Sequence, residues 1–216
     1  MTFNQLGALL RIQRNLINIQ IHRSQDHRVA RPISNMADQN GPITFNSRSK
    51  APYNQLSNFY EAKIEMPEGV FASVEHYFHA TKFIDKDHPR FEIHGDLGEQ
   101  SHESGSWKPS VSKGRFIKSA GGKDGTKKYA LTLRTGGLER MWAKQKMKEG
   151  LRKKFKAEPF RELLLKTGRR VLVHTPMRGK TDFWSGRVDK KDGQKIVGEN
   201  NMGKLLMEVR EELNEI

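Results

Sequence analysis

Three residues in one short segment have side chains suited to acid–base and nucleophilic chemistry: Glu75, His79 and Lys82. They lie within residues 73–83, a stretch whose pattern predicts a helix. Ser73 is a favourable N-cap residue, and an acid in the first turn suits the positive end of the helix dipole. At 100° per residue the three side chains fall within roughly 60° of one another. An acid, an imidazole and an amine therefore share one helical face.

The same spacing has two other interpretations. A solvated helix with charged residues at i,i+3 and i,i+4 spacing is very common, and the spacing by itself favours that interpretation. A Glu/His pair at this spacing could also bind a metal ion, but the sequence places no third ligand beside it. The 216 residues include no cysteine, which excludes disulfides, thiolate chemistry and Cys-based zinc sites. We therefore expect neither a metal ion nor a cofactor.

The elements that position this face are predicted to form a single helix-rich α+β domain with a few short strands, over residues 42–216. Apolar patterning and turn residues bound each element. Strands are expected at 43–45, 64–66 and 171–173. Further helices are expected at 138–156, from Pro159 to Gly168, and over 202–213, where an apolar stripe recurs at helical spacing. Residues 88–137 are rich in Gly, Ser and Lys, and we expect a long loop with at most short elements, such as a hairpin around 129–133.

Residues 1–41 are predicted to be a basic N-terminal extension outside the domain. Five arginines and a single acid, Asp26, occur in residues 1–35, together with scattered apolar residues. This composition is typical of a transit peptide, and a disordered tail preceding a start at Met36 is the alternative. We expect a cytoplasmic protein, or a mitochondrial one if residues 1–35 are a transit peptide. No apolar run is long enough to span a bilayer, so a membrane partner is not expected.

Several motifs along residues 43–213 occur in the order found in one enzyme superfamily. The early motifs are Ser57-Asn58-Phe59, Ser73-Val74-Glu75-His76-Tyr77-Phe78 and Lys82-Phe83. The later ones are Leu151 to Phe155, Leu164 to Thr167, Asp182 with Trp184, Gly198 to Gly203, and Leu206 to Arg210. No single motif identifies the superfamily, but the occurrence of all of them in this order does so specifically. On these residues the chain resembles the NADAR (NAD and ADP-ribose) superfamily, and is similar to its riboflavin-intermediate N-glycosidases and its guanine de-ADP-ribosylating hydrolases.

The resemblance implies hydrolysis of an N-glycosidic bond at carbon 1 of a ribose. Members of the superfamily act on riboflavin-pathway intermediates or remove ADP-ribose from guanine in nucleic acid. In both substrate classes the ribose is joined to an exocyclic or amino-type nitrogen, and such a glycosylamine can open to an imine. A neutral lysine amine can attack that imine and hold the sugar as a Schiff base until water releases it.

The resemblance also implies roles for individual residues. Lys82 is expected to be the nucleophile, with a pKa depressed by desolvation or by a second cation nearby. Glu75 is expected to shuttle protons, and Asp182 to orient the ribose hydroxyls or to act as a base. Substrate contacts are expected from Asn58, Phe59, His79, Trp184 and Asn200. The alternatives are that Asn58 closes a turn and that Trp184 packs in the core.

Two departures from the family pattern leave the substrate open. Val173 stands where the riboflavin-intermediate N-glycosidases commonly have a glutamate, and residues 88–137 have no clear match. The net charge of +14 and the basic stretch 108–128 favour a polyanion. We therefore expect ADP-ribose or ADP-ribosylated nucleic acid as the binding partner. The alternatives are metabolite clean-up of riboflavin intermediates and a non-catalytic module that binds ADP-ribose or nucleic acid.

Overall fold

Helices make up most of the regular structure. The computed structural model describes residues 41–100 and 111–215. This part of the chain contains two 3-10 helices, Tyr53–Leu56 and Asp85–Phe91. Its seven α-helices are α1 (Val74–Ala80), α2 (Asp96–Gln100), α3 (Val111–Ala120), α4 (Lys123–Lys128), α5 (Arg140–Lys156), α6 (Phe160–Lys166) and α7 (Asn201–Asn214).

The strands are short and pair two by two. They are β1 (Ile43–Phe45), β2 (Ile64–Met66), β3 (Gly69–Phe71), β4 (Leu172–His174), β5 (Arg187–Val188) and β6 (Ile196–Val197). β1 and β4 pair in parallel, which joins the start of the domain to a strand far along the chain, while β2–β3 and β5–β6 are antiparallel. The expected helix-rich α+β fold is confirmed.

Helix α1 lies at the centre of the domain, and all seven of its residues are buried. The side chain of Ser73 accepts a hydrogen bond from the amide of His76, as expected of an N-cap. α3, α5 and the 3-10 helix Asp85–Phe91 all pack against α1. α5 approaches it at Gly150, where a Cβ atom would lie 2.9 Å from a methyl carbon of Val74. The helix that carries Glu75 is therefore held by packing on several sides.

The prediction of a long loop for residues 88–137 is wrong. Three α-helices, α2, α3 and α4, lie in this region, and no hairpin forms around 129–133 in the part that the structure describes. Leu133 instead makes a single bridge with Phe83. Among the described residues of this region, Leu97, Ile117 and Ala120 are almost fully buried. Tertiary packing of these side chains outweighs the weak helical propensity of the surrounding Gly and Ser residues.

Two of the sequence-based predictions lie outside the described residues: nearly all of the N-terminal extension, and residues 101–110 of the predicted loop. Within the ranges 41–100 and 111–215, no helix is both long enough and apolar enough to cross a membrane.

Candidate active site

The three candidate residues of the α1 face form a continuous hydrogen-bonded row. Nε2 of His79 lies 3.1 Å from Oε1 of Glu75. Nδ1 of His79 lies 3.0 Å from Nζ of Lys82. Glu75 and His79 are each only 4% exposed. The face that the spacing alone would assign to solvent is therefore inside the protein, and the interpretation as a solvated helix is wrong.

Burial and the neighbouring charges set the protonation of this row. Burial and the adjacent Lys82 ammonium lower the pKa of His79, so the ring is neutral near pH 7. Burial opposes ionisation of Glu75, but His79 and two nearby lysines lower the pKa of this carboxyl below its usual value. The consistent arrangement has the Lys82 ammonium donating to Nδ1, and Nε2–H donating to the Glu75 carboxylate.

Lys82 has the depressed pKa that a lysine nucleophile requires. The pKa of Lys82 is lowered to about 8, mainly by burial; the Glu75 carboxylate opposes this shift and the nearby Lys118 adds to it. The Nζ atom also lies 4.5 Å from the centre of the Phe78 ring. With a pKa near 8, about a tenth of the amine is unprotonated at pH 7. The expected desolvated site and second cation are both present.

Asn58 completes the row at the Glu75 end. Its amide nitrogen donates a short hydrogen bond to Oε2 of Glu75, and its backbone carbonyl accepts from the Glu75 amide at 3.0 Å. Its side-chain oxygen is buried and has no partner among the described residues. A buried acceptor without a donor costs stability unless a ligand satisfies it. The loop before β2 thus leaves Oδ1 of Asn58 as an unsatisfied hydrogen-bond acceptor in the row.

The row lines a small cavity of about 110 Å³, here called the central cavity. Asn58, Glu75, His79 and Lys82 form one side of it. Phe59, Lys118, His174, Asp182 and Trp184 are among the residues that form the rest. The structure thus brings together seven of the eight predicted site residues.

A larger cavity of about 440 Å³, here called the cation groove, adjoins the central cavity. The two share Phe59, Lys118, His174 and Asp182 as lining residues. Arg178 and Lys180 also line the groove, so it contains three basic side chains and one acid, Asp182. This balance of charge suits a bound anion.

Asp182 lies in a tight turn at the border of the two cavities. Its Oδ1 atom accepts hydrogen bonds from the amides of Trp184 at 3.0 Å and Ser185 at 2.9 Å, and from the Ser185 hydroxyl at 2.6 Å. Burial opposes ionisation, but the hydrogen bonds from Ser185 lower the pKa of Asp182, so it is a carboxylate near pH 7. The ring of Trp184 packs edge-on against Phe78, with ring centres 5.6 Å apart. Trp184 is therefore both a packing residue and part of the cavity wall.

Asn200 is the predicted site residue that the structure does not bring to the cavities described above. Its side-chain oxygen accepts from the His174 amide at 3.0 Å, and its amide nitrogen donates to the Leu172 carbonyl at 2.8 Å. Both groups are satisfied by the backbone of β4. Asn200 therefore joins the start of α7 to β4, and the prediction that it contacts substrate is not supported.

Two residues of the site were missed by the sequence reasoning. Lys118 of α3 and His174 at the end of β4 line both cavities. Nδ1 of His174 is buried without a partner among the residues described. The position of His174 at the carboxyl end of a buried strand was an available signal. Lys118 had none, because nothing in the sequence predicted α3.

Gly121, between α3 and α4, is a third missed position. A Cβ atom at this residue would lie 2.0 Å from Nδ1 of His79, so only glycine permits the close approach. No group of three or more His, Asp or Glu residues suited to a metal ion occurs in the described parts of the chain.

Comparison with known proteins identifies the family of this chain. The model of the NADAR domain family matches residues 44–214. The N-glycosidase Npun_R5314 of Nostoc punctiforme is 31% identical over 171 residues, which cover 76% of this chain and 88% of that protein. The NMR structure of the E. coli protein YbiA is similar with a TM-score of 0.54 and 27% identity, covering 82% of this chain and 87% of that one. The chain therefore belongs to the NADAR domain family.

Proposed function

We propose that this NADAR protein is a hydrolase of N-glycosyl compounds, and that its substrate is ADP-ribose attached to guanine in nucleic acid. The observation that supports this proposal most strongly is that the row from Asn58 to Lys82 lines a small cavity, which adjoins a larger, cationic one. The name of the Nostoc relative, an N-glycosidase, supports the reaction type. The role of each residue and the identity of the substrate are parts of the proposal.

In the proposed reaction Lys82 forms a transient covalent bond to the sugar. The glycosylamine opens to an imine at carbon 1, and the free amine of Lys82 adds to that carbon. Protonation of the guanine amine by Glu75 breaks the carbon–nitrogen bond and leaves the sugar as a Schiff base on Lys82. Water then adds to carbon 1, Glu75 takes its proton, and the amine departs as the aldehyde forms. The net reaction consumes one water and releases ADP-ribose, and the unmodified guanine stays in its strand.

The hydrogen-bonded row supplies a path for the proton that must leave Lys82. When the ammonium passes a proton to Nδ1 of His79, Nε2 passes its own proton to Glu75, 3.1 Å away. The imidazole ends neutral in its other tautomer, and a hydrogen bond to the backbone of Gly121 favours a proton on the ring. The free amine and a protonated Glu75 therefore arise together, without leaving an isolated charge in the buried row. In this proposal His79 relays protons in addition to lining the cavity.

The cation groove supports ADP-ribose over the riboflavin intermediates. Those intermediates carry one phosphate, whereas ADP-ribose carries two phosphates and an adenosine. A groove four times the volume of the central cavity, with Lys118, Arg178 and Lys180 in its wall, matches the larger and more anionic group. The net charge of +14 adds a general attraction to nucleic acid.

The decisive experiment offers the protein both substrate classes. It is incubated with a guanine-ADP-ribosylated oligonucleotide and, separately, with the riboflavin intermediates, and released sugars are identified by mass. We expect free ADP-ribose from the oligonucleotide and little product from the intermediates. Release of ribose 5-phosphate alone would show the riboflavin clean-up activity instead. No release from either substrate, with ADP-ribose still bound, would show a non-catalytic binding module.

A further inference from the structure

A third cavity lies beside Lys82, separate from the cation groove. Its volume is about 250 Å³, and it is called here the aromatic slot, formed mainly by Leu138, Arg140, Phe183 and Trp184. It shares Phe78, Lys82 and Trp184 with the central cavity, and it shares no lining residue with the cation groove. The central cavity therefore lies between the groove and the slot.

The walls of the slot suit a planar, aromatic group. The rings of Phe183 and Trp184 pack edge to face with centres 4.8 Å apart. The guanidinium of Arg140 lies 5.1 Å from the centre of the Phe183 ring. Aromatic rings and guanidinium planes are the surfaces on which proteins stack unpaired nucleobases. Arg140 also offers donors to the oxygen and nitrogen acceptors on the edge of guanine.

Part of the slot wall is both apolar and exposed to solvent. Leu138, which lines the slot, is 61% exposed and is among the most exposed large hydrophobic side chains in the described ranges. The ion pair of Arg140 with Glu199, 3.6 Å apart, is itself exposed and so holds the guanidinium only weakly. A partner that brings an apolar face and a hydrogen-bonding edge would cover these groups.

We propose that the aromatic slot binds the purine base that leaves during the reaction, presented as an unpaired nucleotide of a nucleic acid strand. The inference rests on the proposed function, because that function fixes the bond to be broken beside Lys82. With the ribose in the central cavity and the diphosphate in the cation groove, the base extends to the other side of the reacting carbon. The slot is the cavity that opens there. Enzymes that act on a base within a duplex must take it out of the stack, so the unpaired form is the one that fits.

The test measures binding without requiring turnover. The Glu75→Gln protein is titrated by calorimetry with ADP-ribosylated deoxyguanosine and with free ADP-ribose. We expect the guanosine conjugate to bind more tightly than ADP-ribose. Adding Phe183→Ala should weaken binding of the conjugate roughly 5- to 150-fold, the effect of one base stack of about 1–3 kcal/mol. Binding of ADP-ribose should change less than about twofold, because its sites lie on the other side of Lys82.

Two matched variants guard against a general loss of structure. Phe183→Tyr keeps an aromatic face and should bind the conjugate like the parent, and Leu138→Ser changes an exposed residue and should weaken only the conjugate. Equal weakening of both ligands by Phe183→Ala, or no weakening of either, would overturn the proposal. If the parent protein does not release ADP-ribose from guanine yet shows the base-dependent binding, the proposed function is wrong. The assignment of the aromatic slot to the purine base is then still supported.

Discussion

Two buried lysines with depressed pKa values lie in different parts of this domain, and their surroundings differ. Burial lowers the pKa of Lys154, in α5, to about 7, and that of Lys82 to about 8. Lys154 is 1% exposed, and its ammonium donates to the carbonyls of Gln55 at 2.6 Å and Ser57 at 2.8 Å. Its Nζ atom also lies 5.0–5.5 Å from the ring centres of Tyr60, Phe155 and Phe160.

The comparison shows that a low pKa does not by itself identify a nucleophile. All the partners of Lys154 named above are backbone carbonyls and aromatic faces, and it lines none of the three cavities described. Lys82 lines two of them and has His79 as a proton acceptor at 3.0 Å. Lys154 thus holds the loop that places Asn58, while Lys82 has the surroundings that the proposed nucleophile needs. Access to a ligand and a route for the proton separate the two.

The largest expected effect is that of Lys82→Arg. A guanidinium keeps the charge but cannot form an imine, so turnover should fall to background. The melting temperature, measured by circular dichroism, should stay near that of the parent, since Lys82 is only partly buried. An active Lys82→Arg protein would leave direct attack by water, assisted by Glu75 or Asp182, as the better mechanism.

Glu75→Gln should come next. If Glu75 moves protons, the amide should lower kcat by roughly two to four orders of magnitude while ADP-ribose binding, measured by calorimetry, is kept. The amide can still accept from His79, so the row keeps its geometry. Turnover within a factor of a few of the parent would remove the proton-transfer role.

The pH dependence of kcat/KM should follow Lys82 and ignore Lys154. The reactive form holds one proton between Lys82 and Glu75, as the free amine with the protonated acid, so the rate should be level below a pKa of about 8 and fall above it, where that proton is lost. From pH 8 to pH 10 the fall should be roughly 50-fold for a single group of that pKa. Lys154→Met should keep the same profile. If the pH profile of kcat/KM changes in the Lys154→Met protein, the titrating group is Lys154 and not Lys82.

Lys154→Met should have the smallest effect on turnover of these variants, but it should clearly lower stability. Two buried carbonyls lose their donor, which should lower the free energy of unfolding by about 1–3 kcal/mol at pH 7. Because the unfolded lysine binds its proton up to about pH 10.4 and the folded one only to about 7, Lys154 makes the parent more stable as the pH rises between these values. Denaturant titrations should therefore show a gap between parent and variant that widens from pH 7 to pH 10.

Much of the α1 row could be predicted from the sequence, because helical spacing is local. The spacing placed Glu75, His79 and Lys82 on one face, and the motifs decided that the face was functional. The depth of its burial could not be predicted, since α3 and α5 cover it and α3 has too few apolar residues to be recognised. For the same reason Lys118 was missed.

Lys154 shows a second limit of the sequence. It lies among five other lysines of α5, Lys144, Lys146, Lys148, Lys153 and Lys156, in a helix whose composition suggests a solvated basic surface. Only the tertiary positions of the Gln55–Ser57 carbonyls and of three aromatic rings single it out. The position of Asn200 away from the three cavities could not be predicted for a related reason. Its motif position was recognisable, but the strand that uses its amide is distant in sequence.

The central claim is that Lys82 attacks carbon 1 of the ribose, and chemical trapping tests it most directly. Cyanoborohydride is added while the protein turns over a guanine-ADP-ribosylated oligonucleotide, and the digest is mapped by mass. We predict a reduced ADP-ribose adduct on the peptide that contains Lys82, absent from the Lys82→Arg protein and absent from the Lys154 peptide. An adduct on Lys154 or Lys118, or full turnover with no adduct on any lysine, would contradict the account.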